Sequence, residues 1–196
     1  ERGGAITKLE LKSWGKQQNS EVLIRGYEGS AGALLVSLPN QGIDFKDRLF
    51  LLKNLDEKKG EVQLYTEEPG KWRLVKNFRF SQEKPVIWLE VTVENIGSSQ
   101  LVTSIEVTSQ LGVESKMRND HHQAESFVFL SDKLVSSQVN KIEKQPYLVE
   151  GKILWQALTR KYFAFVISSE EPAVLAKTTV AKKETQFMEG TIQLSP

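Results

Sequence analysis

The chain has 196 residues, of which 39% are hydrophobic and 26% charged, and 26 Lys and Arg residues nearly balance 25 Asp and Glu residues. This composition is typical of a globular protein, and the length suits one sizeable all-β domain. The formal net charge of +1 argues against nucleic acid as a partner, because a nucleic-acid-binding face is basic. Cysteine is absent, which excludes disulfides, thiolate catalysis and cysteine-bound metals.

Hydrophobic runs are all short in this sequence. None approaches the roughly 20 residues that a transmembrane helix needs, and no basic segment followed by an apolar one opens the chain. The first residues, ERGG, run directly into the strand-like sequence AITKLEL. We therefore expect residues 1–196 to be a single domain excised from a longer protein.

The first third of the chain predicts one short strand after another. Five runs rich in β-forming residues are each closed by Gly, Pro, Asn or Asp, and they lie at 5–11, 22–24, 33–38, 49–52 and 62–65. Residues 38–42 predict a strong break, and residues 56–60 predict a hairpin connection. Because no convincing amphipathic helix separates the strands, the pattern indicates a sandwich or barrel and not βαβ units.

The most regular alternation lies between residues 72 and 109. One face of 72–80 carries Trp72, Leu74, Lys76, Phe78 and Phe80, and the other carries Arg73 and Arg79. Residues 86–94 place Ile87, Leu89, Val91 and Val93 on one face and Val86, Trp88, Glu90, Thr92 and Glu94 on the other. In 101–109 the inward residues are Leu101, Thr103, Ile105 and Val107. Three such runs predict an antiparallel meander with one buried face.

Residues 111–147 are patterned more weakly. We predict mostly polar loops at 112–125 and 131–146, including a helical turn, with a short strand at 127–130. Residues 173–180 and 185–194 predict two closing strands. Gly190 in the second of these indicates a bulge or a close approach of the backbone.

Residues 151–167, GKILWQALTRKYFAFVI, form the densest apolar and aromatic segment of the chain. Its second half, KYFAFVI, predicts a central strand that is buried on both faces. The turn-prone Glu150-Gly151 and the polar residues 168–172 predict its two boundaries. We expect the rest of the domain to pack against this segment.

Few patterns point to catalysis. His121 and His122 are adjacent, so on a strand they would face opposite ways and could not easily hold one metal. Neither a GxSxG elbow nor a GxxxxGK[ST] phosphate loop occurs. The acidic pairs at 67–68 and 170–171 adjoin prolines in expected surface turns. We therefore predict that the protein is not an enzyme and has no metal site and no cofactor.

The tryptophans are the remaining candidates for ligand contact, because such rings stack on sugars or on apolar groups. Core positions are favoured for Trp14, Trp72 and Trp155, whereas Trp88 shares its predicted face with Glu90 and Thr92. We select four residues for a possible groove or interface: Trp88, Trp155, Tyr162 and Phe163.

Five sequence motifs follow one another along the chain in a distinctive order. They are the opening ERGGAITKLEL, the WxxxKxFxF strand at Trp72–Phe80, VTVENIG at 91–97, W-x-A-L-T-x-x-Y-F at 155–163, and a closing strand at 187–194. In this order the chain resembles the large extracytoplasmic domain of the YidC family of bacterial membrane protein insertases. The motifs span nearly the whole sequence.

The resemblance implies an antiparallel β-supersandwich similar to the galactose mutarotase fold, with little helix, on the periplasmic side of the bacterial cytoplasmic membrane. It implies a non-catalytic accessory domain that supports membrane protein insertion and folding. The implied partners are the Sec translocon, SecDF and nascent membrane proteins, and transmembrane helices absent from this sequence would join the domain to the inner membrane. In better-known members the partner-binding segment corresponds to roughly residues 101–150 here, and no individual contact residue is carried over.

Two other functions stay open. The implied fold would permit a carbohydrate-binding module or an aldose mutarotase-like enzyme, which needs a histidine and a glutamate in one cleft. His121 and His122 are the only histidines available. Alternatively, a groove or sheet edge could hold an extended apolar protein segment by strand addition, as a chaperone would.

We predict that Trp155→Ala lowers the melting temperature, with a loss of a few kcal/mol that is typical of a large-to-small change in a core. Thermal unfolding of the wild-type and variant domains measures this effect. An unchanged melting temperature would instead place Trp155 on a binding surface.

Overall fold

The computed structural model describes residues 3–14, 19–25, 32–113, 124–160, 163–182 and 186–196. These residues form an all-β protein whose antiparallel sheets pack as a sandwich, as the sequence predicts. The closer likeness to the galactose mutarotase fold stays a prediction. No helix within the described ranges is long and apolar enough to cross a membrane.

The strands of the described ranges are, in chain order, β1 (Lys8–Trp14), β2 (Asn19–Arg25), β3 (Leu35–Leu38), β4 (Ile43–Asp44), β5 (Leu51–Asp56), β6 (Glu61–Glu68), β7 (Trp72–Phe80), β8 (Ile87–Asn95), β9 (Ile105–Val113), β10 (Glu125–Leu130), β11 (Leu134–Gln138), β12 (Tyr147–Arg160), β13 (Phe163–Lys182) and β14 (Gln186–Leu194). A 3-10 turn at Pro39–Gln41 joins β3 to β4, and the one-turn helix α1 (Val139–Ile142) follows β11.

Three sheets contain these strands. An eight-stranded sheet has the order β11-β10-β12-β13-β14-β9-β3-β4, a four-stranded sheet has the order β5-β6-β7-β8, and β1 pairs with β2 separately. The four-stranded sheet is a simple meander, and its first hairpin closes at the predicted turn. There Asp56 Oδ1 accepts hydrogen bonds from the main-chain N–H groups of Lys58 and Lys59, and Gly60 has a φ of 66°.

The prediction that 72–109 forms one three-stranded meander is wrong in its last strand. β7 and β8 pair over nine residues from Trp72↔Asn95 to Phe80↔Ile87, with the predicted inward and outward faces. β9, however, begins at Ile105 and joins the eight-stranded sheet between β14 and β3. Alternation predicts which side chains of a strand are buried, but it does not predict which other strand pairs with it.

The boundaries predicted around 151–167 are also wrong. β12 continues through Glu150-Gly151 and β13 continues through 168–172, and shifts in strand register occur at both places. β13 is central in its sheet, as predicted, but KYFAFVI is not buried on both faces, because Val166 is 57% exposed. Lys161 and Tyr162 lie outside the described residues.

The weakly patterned region between residues 131 and 146 contains more structure than predicted. The helical turn is confirmed as α1, but the strand β11 was missed. Most of 112–125 lies outside the described residues. The short strand predicted at 127–130 is confirmed as part of β10.

The hydrophobic core lies between the inner faces of the two larger sheets. Phe45 and Phe50, which precede β5, are almost completely buried in it, and the ring of Phe45 meets that of Trp72 edge-on at 5.2 Å. The eight-stranded sheet contributes Val36, Val107, Val128, Ile153, Ile167, Ala176 and Ile192, and the four-stranded sheet contributes Leu64, Trp72, Leu74 and Phe78.

Lys76 lies in the centre of this core and is completely buried. Its Nζ donates hydrogen bonds to the carbonyl oxygens of Gly4 and Leu34, both at 2.6 Å, and to that of Gly3 at 3.4 Å. The same nitrogen lies 5.3 Å from the ring centre of Phe78. An ammonium group has three N–H donors and here finds three acceptors, so Lys76 ties two early segments to the middle of β7.

The backbone that presents these carbonyls is unusual. Gly3 and Gly4 have φ values of 68° and 49°, and Leu34 has a φ of 59°. A Cβ on Gly4 would lie 2.8 Å from the ring of Phe50, and a Cβ on Gly3 would lie 2.8 Å from the side chain of Leu35. The paired glycines of the opening motif therefore allow the chain to approach Lys76 closely.

We predict that Lys76→Met lowers the free energy of unfolding by roughly 3 kcal/mol or more, because each buried carbonyl left without a donor costs about 1–3 kcal/mol. Denaturant unfolding measures the change. Lys53→Met, at an exposed position of β5, is the matched control and is expected to stay within about 0.5 kcal/mol of wild type. Equal stability of the two variants would contradict this role.

Burial lowers the pKa of Lys76 from 10.5 to about 7. Between these values the unfolded chain binds one more proton than the folded chain, so the free energy of unfolding rises with pH. The contribution is at most about 1.4 kcal/mol per pH unit, and it is absent below both pKa values. We predict that the stability of the wild type relative to Lys76→Met increases from about pH 7 to about pH 9. A difference that stays constant or shrinks would contradict the prediction.

Candidate functional site

The outward face of the eight-stranded sheet is divided into a polar half and an apolar half. In the polar half, cross-strand hydrogen bonds join Thr108 to Thr191 at 2.9 Å, Gln110 to Glu189 at 2.7 Å and Ser37 to Glu106 at 2.8 Å. These pairs belong to β3, β9 and β14 and are cross-strand polar contacts of the kind that stabilise a sheet, and Gln110 among them is buried.

The apolar half, which we call the outer apolar patch, comprises Leu134, Phe127, Phe129, Trp155, Ala157 and Val166. Strand register places Leu134, Phe129 and Trp155 in one row. It places Phe127, Ala157 and Val166 in the next row. Leu134 and Val166 at the ends are 53% and 57% exposed, whereas Ala157 in the middle is buried by its neighbours.

Aromatic stacking orders the centre of the outer apolar patch. The rings of Phe129 and Trp155 have centroids 5.5 Å apart and an interplanar angle of 22°. Such contacts stabilise an aromatic pair by more than the burial of its apolar surface alone would.

Polar groups border the patch along one side. There Ser136 Oγ donates to Glu125 Oε1 at 2.6 Å, and Thr159 Oγ1 donates to the carbonyl of Glu125 at 3.1 Å. A contiguous apolar surface with a polar rim is typical of a protein contact site.

Beneath the patch, the inner side of the same strands holds a buried polar network. Gln156 Nε2 donates to Thr178 Oγ1 at 2.9 Å, and the hydroxyls of Ser126 and Thr178 are 2.7 Å apart. A Cβ on Gly190 would lie 2.9 Å from Gln156 Oε1. The close approach predicted at Gly190 is therefore confirmed, but to a side chain, and β14 keeps regular register there instead of forming a bulge. This network holds β10, β12 and β13 together below the patch.

The four residues selected from the sequence do not converge. Trp155 belongs to the outer apolar patch, and Trp88 lies on the outward face of the four-stranded sheet. Phe163 begins β13 on the inner side of its sheet, with the guanidinium of Arg160 5.4 Å from its ring centre and Ala33 nearby. Tyr162 lies outside the described residues. The three described residues thus occupy three separate places.

A polar cleft of about 550 Å³ opens at one end of the sandwich, beside the 3-10 turn and the loop that follows β8. Arg48 lines the cleft. Its Nη1 lies 2.9 Å from Glu68 Oε2, and its guanidinium lies 5.3 Å from the ring centre of Trp72. Gly97 of the VTVENIG motif lies against Gly70, because a Cβ there would be 2.6 Å from the carbonyl oxygen of Gly70. The VTVENIG motif therefore forms part of the cleft wall, where its backbone lies against that of Gly70.

Sequence reasoning missed the exposure of the leucines at β5. Leu49, Leu51, Leu52 and Leu55 are between 50% and 63% exposed. β5 is an edge strand, and exposure there depends on whether the facing sheet reaches it, which alternation cannot reveal. Lys53 and the shift of register between Leu52 and Asn54 are features that protect sheet edges from pairing.

Groups that could perform acid–base or metal chemistry are dispersed in the part of the chain that the structure describes. No cluster of three or more His, Asp or Glu residues there could hold a metal ion. His121 and His122 lie outside the described ranges. Glu67 and Glu68 hold Arg73 and Arg48 in ion pairs at 2.8 and 2.9 Å. We therefore take the outer apolar patch, and not a catalytic or metal centre, as the candidate functional site of the described ranges.

Comparison of the sequence with family models and with curated proteins finds no match.

Proposed function

We propose that this chain is a non-catalytic extracytoplasmic accessory domain of a membrane protein insertase of the YidC family. The order of the five sequence motifs and the all-β sandwich support the proposal. In this proposal the domain lies on the periplasmic side of the cytoplasmic membrane. It assists insertion and folding of nascent membrane proteins through contacts with the Sec translocon and SecDF.

The observation that carries the proposal is the position of the W-x-A-L-T motif in the fold. Trp155, Ala157 and Thr159 alternate onto the outward face of β12, where the first two belong to the outer apolar patch and the third to its polar rim. Leu158 faces the core instead and is completely buried. Three residues of the motif that supports the resemblance thus lie on the outward face of the sheet, where Ala157 is covered by its neighbours in the patch. None of the three belongs to the core between the two larger sheets, and a contact surface would account for their position.

The patch has the composition of a protein interface. Trp155 and Phe129 supply a stacked aromatic centre, and Glu125 and Ser136 supply polar groups at the edge. Interfaces concentrate their binding energy in such aromatic anchors and surround them with groups that exclude water. The partner of the patch is therefore a protein surface of the insertion machinery with an apolar centre.

A second candidate function is favoured by β5. Its free edge and its exposed leucines suit an extended apolar segment of a client protein, added as a fifth strand to the four-stranded sheet. Lys53 and the irregular register of β5 oppose close pairing along the whole strand. The outer apolar patch has no such obstacle, so we favour it over β5 as the contact site.

We predict that Val166→Glu and Leu134→Glu in the full-length protein weaken its association with the translocon by tenfold or more, because an unpaired carboxylate would be buried in the interface. Co-purification from solubilised membranes measures the association. Val86→Glu is the matched control, since Val86 is 39% exposed and directly precedes β8 of the other large sheet, outside residues 101–150. Equal recovery of partners with all three variants, each folded as judged by its melting temperature, would rule out the patch as the contact.

A further inference from the structure

A groove of about 320 Å³ crosses the outward face of the four-stranded sheet. Strand register aligns two rows of side chains across all four strands. One row is Asn54, Gln63, Asn77 and Glu90, and the other is Asp56, Glu61, Arg79 and Trp88. Each row spans three inter-strand spacings, roughly 14 Å. The groove therefore suits an elongated ligand and not a single small ring.

Trp88 forms one end of the groove. Its side chain is 46% exposed, and the guanidinium of Arg79 lies 4.9 Å from its ring centre. The cation–π contact holds the indole in one orientation while much of its surface stays open to solvent. An indole presented in this way offers an apolar stacking surface and an N–H donor at the same time.

The row beside Trp88 consists of hydrogen-bonding groups. Asn77 Nδ2 donates to Glu90 Oε2 at 3.1 Å, which fixes both side chains. The amides of Asn54 and Gln63 also line the groove, and their side chains make no hydrogen bond with any residue of the described ranges. Each amide has two donors and an acceptor oxygen, and each hydroxyl group of a saccharide is both donor and acceptor. The row therefore complements a hydroxyl-rich ligand.

The lining of the groove disfavours two other ligand classes, anions and apolar peptides. Arg79 is the one cationic side chain in the lining, and Glu61 and Glu90 oppose an anion such as a phosphate. Val62 and Phe78 also line the groove, but the side chains of the two outward rows are polar apart from Trp88, so an apolar peptide would find little complementary surface. We propose that the groove binds a neutral oligosaccharide, with one pyranose ring stacked on Trp88 and hydroxyl groups bound by Asn54, Gln63 and Asn77. The outer apolar patch lies on the other large sheet, so this proposal and the proposed function stand or fall separately.

Titration of the isotope-labelled chain with maltohexaose, cellohexaose and chitohexaose, followed by NMR, tests the proposal. We expect at least one saccharide to shift the resonances of the Trp88 indole N–H and of the Asn54, Gln63 and Asn77 side-chain amides saturably, with a Kd on the order of 1 mM or tighter. Trp88→Ala is expected to weaken binding at least tenfold and Gln63→Ala several-fold. Trp155→Ala, which removes the tryptophan of the outer apolar patch, is the matched control and is expected to bind as wild type does.

Three results would overturn the proposal. The first is the absence of saturable shifts at these residues with all three saccharides. The second is equal binding by wild type and a folded Trp88→Ala variant. The third is a shift of the same resonances by an extended polar peptide but by none of the saccharides, which would identify a peptide groove.

Discussion

The sandwich depends on the buried amino group of Lys76. Burial disfavours the charged form of this group and lowers its pKa to about 7, and its N–H groups donate hydrogen bonds to the carbonyls of Gly3, Gly4 and Leu34. Because these carbonyls come from chain segments far from β7, the interaction links the entry of the chain, the approach to β3 and the middle of the four-stranded sheet. Phe50 packs against the same group and helps to exclude water from it.

A core held in this way leaves both outward sheet faces available for binding. The outer apolar patch and the Trp88 groove lie on different sheets and differ in chemistry, since one is aromatic and aliphatic and the other is lined by amides and carboxylates. Both are built on strands, whose register fixes the relative positions of their side chains. We propose the first surface as the contact site for a protein of the insertion machinery and the second as the site for a neutral saccharide.

Period-two alternation predicted the faces of β7 and β8 correctly, including the inward Lys76 and the outward Trp88. The turn signals at Glu150-Gly151 and at 168–172 predicted strand boundaries wrongly, because glycine and polar residues are used in bulges as well as in turns. The bonding of Lys76 could not be predicted, since its acceptors are main-chain atoms of distant segments. The outer apolar patch also escaped prediction, because it is assembled across four strands whose pairing the sequence does not specify.

The most direct test of the central claim, that the outer apolar patch is the contact surface of an insertase domain, is site-specific photo-crosslinking in the full-length protein in its native membrane. A photoreactive residue replaces Trp155 in one variant and Trp88 in a second. Adducts with a subunit of the Sec translocon or SecDF from position 155, and none from position 88, are the predicted result. The absence of such adducts from position 155, or the same adducts from both positions, would contradict the claim.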